Sequence, residues 1–216
     1  MSIRSKAISG VKWTTMSIIV TTITQLLSIA ILVRYLEKSD FGLMAITMVV
    51  RGFADIFMDF GITVAILHKQ NISKNEFSSL YWLNMIVGFV LYILILIITP
   101  LVTDFYQQEL LIYLIPLTCL AIPISSIGRQ QKTMQQKNLH FKELAYVEMV
   151  SSVLYLFLSV FMAVNGYGLY SLVFPLLLKQ LVANILFFYI GSRTVKISFH
   201  FNFSETKSFL RIGLYN

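Results

Sequence analysis

A single cysteine among 216 residues excludes a disulfide framework, because Cys119 has no partner in the chain. Charge is equally scarce. Only 12% of residues are charged, against about 25% in an ordinary soluble domain. The three histidines, His68, His140 and His200, lie in separate stretches, so no shared metal site is expected, and no cofactor motif is present. Of four prolines, Pro116, Pro123 and Pro175 fall inside apolar runs and Pro100 at the end of one, leaving none for an ordinary loop. Low-complexity tracts are also lacking.

What fills the chain instead is apolar residues, 57% of the total, gathered in blocks near the roughly 20 residues that span a bilayer. Six membrane helices are expected, at Trp13–Val33, Phe41–Leu67, Leu80–Leu101, Leu110–Gly128, Leu144–Val164 and Tyr170–Ile190. The first has positive residues before it, as a signal peptide has, but its run is too long and lacks a small-x-small cleavage site. The expected fold is therefore an all-α polytopic membrane protein, with residues 1–203 forming one six-helix lobe. Residues 204–216, where Ser204, Glu205, Lys207 and Arg211 lead into an apolar stretch, read as the start of a seventh helix of a longer protein.

Short loops rich in Lys and Arg stay cytoplasmic, and here the asymmetry is large. With the N-terminus inside, the inner segments carry Arg4, Lys6, Lys12, Lys69, Lys74, Arg129, Lys132, Lys137, Lys142, Arg193, Lys196, Lys207 and Arg211, and the outer loops only Arg34 and Lys38. Topology and lipid headgroup contact thus account for the net charge of +7, with no call for a nucleic-acid partner.

The two remaining cations, Arg51 and Lys179, lie inside apolar spans. Arg51, Asp55 and Asp59 fall within an arc of roughly 80° on a helix at about 100° per residue. Charge at such depth faces a hydrated cavity or a paired partner. Two readings stand for the triad: a cavity wall, or a structural cluster in which Arg51 pairs with Asp55 one turn away. Lys179, one turn after Pro175 and near mid-span, either faces a cavity or pairs across helices, or else snorkels. In the first helix Thr14, Ser17, Thr21, Thr24 and Ser28 recur every three or four residues, and Gln25 widens the stripe. It reads as a packing seam of small hydroxylated residues or as one wall of a hydrated path, for which Thr21, Gln25 and Ser28 are the candidates. Interior prolines free carbonyls and bend helices, which suits a protein that rocks between two states and is also common in membrane helices generally.

The stretch Val33-Arg34-Tyr35-Leu36-Glu37-Lys38-Ser39-Asp40-Phe41-Gly42-Leu43-Met44-Ala45 resembles the R-x-L-x-x-x-D-F-G-L-x-A turn of bacterial polysaccharide flippases. Asp59-Phe60-Gly61, Tyr81-Trp82-Leu83-Asn84 and Gln130-Gln131-Lys132 to Leu139-His140-Phe141 follow in matching order. The chain is similar, from near residue 5 to its end, to the Wzx-like polysaccharide transporters of the multidrug/oligosaccharidyl-lipid/polysaccharide exporter superfamily. That resemblance implies the N-terminal half of a two-lobed flippase moving lipid-linked oligosaccharide units across the bacterial inner membrane for surface polysaccharide or lipopolysaccharide assembly. It implies membrane lipids, a polysaccharide polymerase and chain-length machinery as partners. Arg51 and Lys179 would then meet the carrier pyrophosphate, through the fork of donors of Arg and the point charge of Lys. Asp55 and Asp59, unusual beside a cationic wall, would bind a coupling ion or tune Arg51. The alternatives are a cation-coupled drug exporter of the same superfamily and a membrane enzyme of polysaccharide assembly. Short outer loops and the lack of a base beside a nucleophile weigh against the enzyme.

Overall fold

The computed structural model describes residues 3–59, 62–69 and 71–214. Among these the chain is all helix and loop: α1 (Ile3–Leu32), α2 (Lys38–Asp59), α3 (Ile62–His68), α4 (Lys74–Tyr106), α5 (Leu111–Cys119), α6 (Ala121–Lys137), α7 (Phe141–Val164), α8 (Tyr170–Ser192) and α9 (Phe203–Leu214). Six stretches are long and apolar enough to cross a membrane, namely Ile8–Leu32, Lys38–Met58, Lys74–Tyr106, Leu111–Lys137, Phe141–Val164 and Tyr170–Ser192. This is a multi-pass membrane protein. Large apolar side chains such as Ile23, Phe53, Ile97 and Phe157 are exposed on the outside of the bundle, where lipid tails are as apolar as they are.

Three expected boundaries move. The second apolar block is two helices, α2 ending at Asp59 and α3 beginning at Ile62; residues 60 and 61 between them lie outside the described residues. Pro100 lies inside α4 rather than closing it. The helix continues to Tyr106 and stops only where Gln107 turns left-handed, with φ of 52°, because a membrane helix tolerates the one donor that proline removes. Residues 129–137, expected as loop, are the second half of α6. Their glutamines bond the neighbouring backbone: Gln130 Nε2 donates to the Phe77 carbonyl at 2.7 Å and Gln131 Nε2 to the Val195 carbonyl at 3.2 Å. Between α5 and α6 the helix breaks at Leu120, since Pro123 has no N–H to offer the Cys119 carbonyl.

Packing follows an order unlike that of the chain. Helix α1 lies on α7, α7 on α8 and α8 on α6, while α4 packs on both α5 and α6, and α5 carries α2. The α5–α6 span is the most buried of the six, with Leu111, Ile115 and Ile122 fully enclosed alongside Val173 of α8. Its crossing with α8 depends on Gly128. A Cβ there would sit 2.5 Å from the carbonyl oxygen and 2.7 Å from the Cα of Asn184.

The turn that carries the sequence resemblance is built by its own polar groups. Asp40 Oδ2 accepts the Glu37 N–H at 3.2 Å, and Leu36, Leu43 and Met44 anchor it in the core. At the opposite end of the bundle, Ser73 and Glu76 form a reciprocal cap at the start of α4. Trp82 Nε1 donates to the Ser198 carbonyl at 3.0 Å and its ring stacks on Phe199. Helix α9, on which the expected seventh helix falls, packs against α3 and α4. Its Phe209 is fully buried with Ala65, Ile66 and Leu80, and Lys69 sits over the Phe209 ring.

Candidate functional site

An open cavity of about 430 Å³ lies among α1, α6, α7 and α8. Helical spacing explains its walls. From α6, Ser125, Arg129 and Lys132 stand at i, i+4 and i+7; from α7, Glu148 and Ser151 stand one turn apart; from α8, Lys179, Ala183 and Asn184 share a face. Thr21 and Gln25 of α1 complete the enclosure.

The sequence-expected residues divide. Lys179, Thr21 and Gln25 line this cavity, whereas Ser28 is fully buried on α1 and its hydroxyl has no hydrogen-bond partner. The first-helix stripe serves as a packing seam over part of its length, since Thr24 Oγ1 lies 2.7 Å from Ser152 Oγ of α7. Arg51 is not on the cavity wall. Its Nε lies 3.5 Å from Asp55 Oδ2, and the other oxygen of Asp55 lies 3.5 Å from Arg129 Nη2 of α6. Asp55 thus joins α2 to a cavity residue on α6. Asp59 ends α2, and its side chain lies outside the described residues.

Four charged groups face the cavity. Lys132 Nζ pairs with Glu148 Oε1 at 2.8 Å, and Ser17 Oγ donates to Glu148 Oε2 at 3.1 Å, so both carboxylate oxygens are engaged. Arg129 is held by Asp55. Among the described residues no carboxylate pairs with Lys179. Its ammonium lies over the Tyr155 ring, 5.6 Å from the centroid, a contact worth on the order of 1 kcal/mol and well short of a counter-ion. Sequence reasoning missed Arg129 and Lys132, counted among loop cations, and Glu148, which lies near the start of the fifth expected span. The periodic spacing within α6 and α7 was the available signal.

Chemically, the arrangement can hold an anion. A polar pocket with cations on α6 and α8 gives a phosphate or carboxylate group charge-assisted hydrogen bonds where bare hydrocarbon offers none. Among the described residues no group of three or more His, Cys, Asp and Glu is placed to hold a metal ion.

The model of a family described as polysaccharide biosynthesis protein matches residues 31–216. Similar proteins include the teichuronic acid biosynthesis protein TuaB of Bacillus subtilis, 32% identical over 219 residues that cover 99% of this chain and 44% of that protein. The lipopolysaccharide biosynthesis protein WzxC of Escherichia coli is 29% identical, with 99% of this chain and 43% of that protein covered. The succinoglycan biosynthesis transport protein ExoT of Rhizobium meliloti is 26% identical over 80% of this chain and 35% of its own length. The chain spans less than half the length of these relatives. No solved structure matches it. The chain belongs to the polysaccharide biosynthesis protein family, the Wzx-like group that its Asp40-Phe41-Gly42-Leu43 turn resembles.

Proposed function

We propose that this chain is the N-terminal lobe of a flippase that carries a lipid-linked oligosaccharide, of the undecaprenyl-pyrophosphate type, across the bacterial inner membrane for surface polysaccharide assembly. The observation that supports this reading most directly is Lys179: a cation near the middle of a membrane helix, on the wall of a polar cavity, in no salt bridge among the described residues. Holding an ammonium without an ion-pair partner at that depth is costly, and an anionic ligand offsets the cost. A sugar headgroup on pyrophosphate has the complementary problem, since its charges and hydroxyls lose their water on entering hydrocarbon. The cavity substitutes for that water while the lipid tail stays in the bilayer. No bond is made or broken, so the role is transport rather than catalysis. The names of the relatives, which speak of teichuronic acid biosynthesis, lipopolysaccharide biosynthesis and succinoglycan biosynthesis transport, point the same way.

The test is Lys179→Ala and Lys179→Arg in the full-length protein, in cells lacking their own flippase. Alanine is expected to leave lipid-linked oligosaccharide on the cytoplasmic leaflet, the cost being on the order of 2 to 5 kcal/mol for a truncated buried charge contact. Arginine should retain part of the transport. Full transport by Lys179→Ala at normal membrane abundance rejects the reading.

A further inference from the structure

The segment that joins α8 to α9 is bonded inward at every second residue. Ser198 gives its N–H to Ser78 Oγ at 3.0 Å and accepts from Trp82 Nε1 at its carbonyl, and the Asn202 N–H donates to Ser79 Oγ at 3.0 Å. Between them His200 Nε2 lies 3.1 Å from Glu205 Oε1. The alternate residues turn outward, and all three are phenylalanines: Phe199 is 97% exposed, Phe201 47% and Phe203 59%. An apolar cluster held out by a braced backbone calls for a partner.

Depth decides what that partner is. Phe199 stacks on Trp82 with ring centroids 5.4 Å apart. On α4, Trp82 begins a stripe that continues through Ile86, Phe89 and Ile93 at i+4, i+7 and i+11, each about half exposed on the lipid-facing side of a membrane span. A Trp at the end of such a stripe sits where tails meet headgroups, so the Phe199 ring lies at that level too. Charge agrees with this placement. Arg193, Lys196 and Lys207 flank the phenylalanines and are exposed, whereas the one acid in that stretch, Glu205, is engaged by Ser79 and His200.

We infer that residues 198–203 form a lipid anchor: Phe199, Phe201 and Phe203 enter the boundary between headgroups and tails of the leaflet where α4 begins, and Arg193, Lys196 and Lys207 meet its anionic headgroups. Apolar rings rimmed by cations are the composition of an interfacial element, here carried by a loop braced on a membrane helix. The Ser198 and Asn202 amides already have partners on α4, so neither enters the boundary as a bare donor. By the Lys and Arg asymmetry this is the cytoplasmic leaflet. The anchor is independent of what the cavity carries.

The experiment is spin-label accessibility on the full-length protein in vesicles of equimolar phosphatidylcholine and phosphatidylglycerol. Phe199→Cys, Phe201→Cys and Phe203→Cys each carry a nitroxide in an otherwise cysteine-free background, and collisions with oxygen, which enters the tails, are compared with collisions with a water-bound nickel chelate. All three labels should favour oxygen several-fold more than a label at Lys74→Cys, an exposed position eight residues, or about 12 Å, before Trp82 along α4. The preference should fall in pure phosphatidylcholine, and joint replacement of Arg193, Lys196 and Lys207 by Gln should erase the difference between the two compositions, since each cation near an anionic surface contributes about fivefold. Labels at 201 and 203 leave the Trp82–Phe199 stack in place, so they decide the matter if Phe199→Cys loosens the segment. Preference for the nickel chelate at these positions puts the phenylalanines in water and overturns the inference. Collision with neither reagent puts them under protein, a second lobe or another copy, and overturns it equally. An oxygen preference indifferent to lipid charge overturns the role given to the cations.

Discussion

The Asp55 carboxylate is shared between two helices, with Oδ1 3.5 Å from Arg129 Nη2 on α6 and Oδ2 3.5 Å from Arg51 Nε on its own helix α2. Arg51 and Asp55 of the charged triad thus belong to an ion network off the cavity wall, and Arg129, a cavity residue that the sequence placed in a loop, joins them to it. Removing Asp55 leaves two guanidinium groups without their shared anion. Asp55→Ala is expected to lower the melting temperature in detergent, and Arg51→Ala in the same background to recover part of the loss. Each contact is long and part-exposed, so the coupling from the double-mutant cycle should be about 1 kcal/mol or less. A double variant no more stable than Asp55→Ala alone would show that the three groups do not act together.

Two glycines on neighbouring spans separate close packing from helix propensity. A Cβ at Gly128 meets the Asn184 backbone, which has no flexible end to yield, whereas a Cβ at Gly52 meets nothing within 4 Å. Gly128→Ala should wedge α6 from α8 and destabilise by ~1 to 3 kcal/mol. Gly52→Ala should be neutral or stabilising by up to about 1 kcal/mol, because alanine loses less backbone freedom in a helix. Thermal unfolding of both variants checks this, and equal effects would contradict the crossing described for α6 and α8.

How much of this was legible in the sequence follows from which signals are one-dimensional. The six spans were, because hydrocarbon-length apolar runs need no tertiary context. The extent of α6 was not, since Gln130, Gln131 and Gln135 read as surface until their amides find the Phe77 and Val195 carbonyls and the Thr194 hydroxyl. Lys179 stood out as a lone charge in an apolar run, and Thr21 and Gln25 as polar residues on a helix face. Lys132 and Glu148 did not, because each lies near an end of its span, where a charge is ordinary. Only the packing of α6 against α7 and α8 turns them inward. Arg51 illustrates the converse: its pairing with Asp55 one turn away was visible in the sequence, but the second cation on Asp55, Arg129, comes from another helix.

Orientation is open to direct measurement. Single cysteines in a Cys119→Ser background, placed at the exposed positions Lys38, Lys142 and Tyr167, report which loops face outward; Cys119 itself is buried and should react little. An impermeant maleimide on intact cells is expected to label positions 38 and 167 and to spare 142, following the Lys and Arg asymmetry. The reverse pattern would place the N-terminus outside.

The docking of α9 should be acid-sensitive. Glu205 accepts a hydrogen bond from Ser79 Oγ at 2.7 Å and lies 3.1 Å from His200 Nε2, and these contacts, that with Ser79 foremost, hold its carboxyl below the usual value of 4.5. A carboxylate whose pKa is depressed by folding stabilises the folded state above its unfolded value, and the contribution is lost as pH falls through the folded value. The contact should therefore be intact at neutral pH and fail only below 4.5. Trp82 reports on it, because its ring stacks on Phe199 and its Nε1 bonds the Ser198 carbonyl, both in the segment leading to α9. In a Trp13→Phe background, Trp82 fluorescence is expected to hold steady down to mildly acidic pH and then change. Ser79→Ala, which removes the principal cause of the shift, should move that change upward toward the ordinary carboxyl range. An acid transition unaffected by Ser79→Ala would mean that Glu205 does not hold α9 to α4.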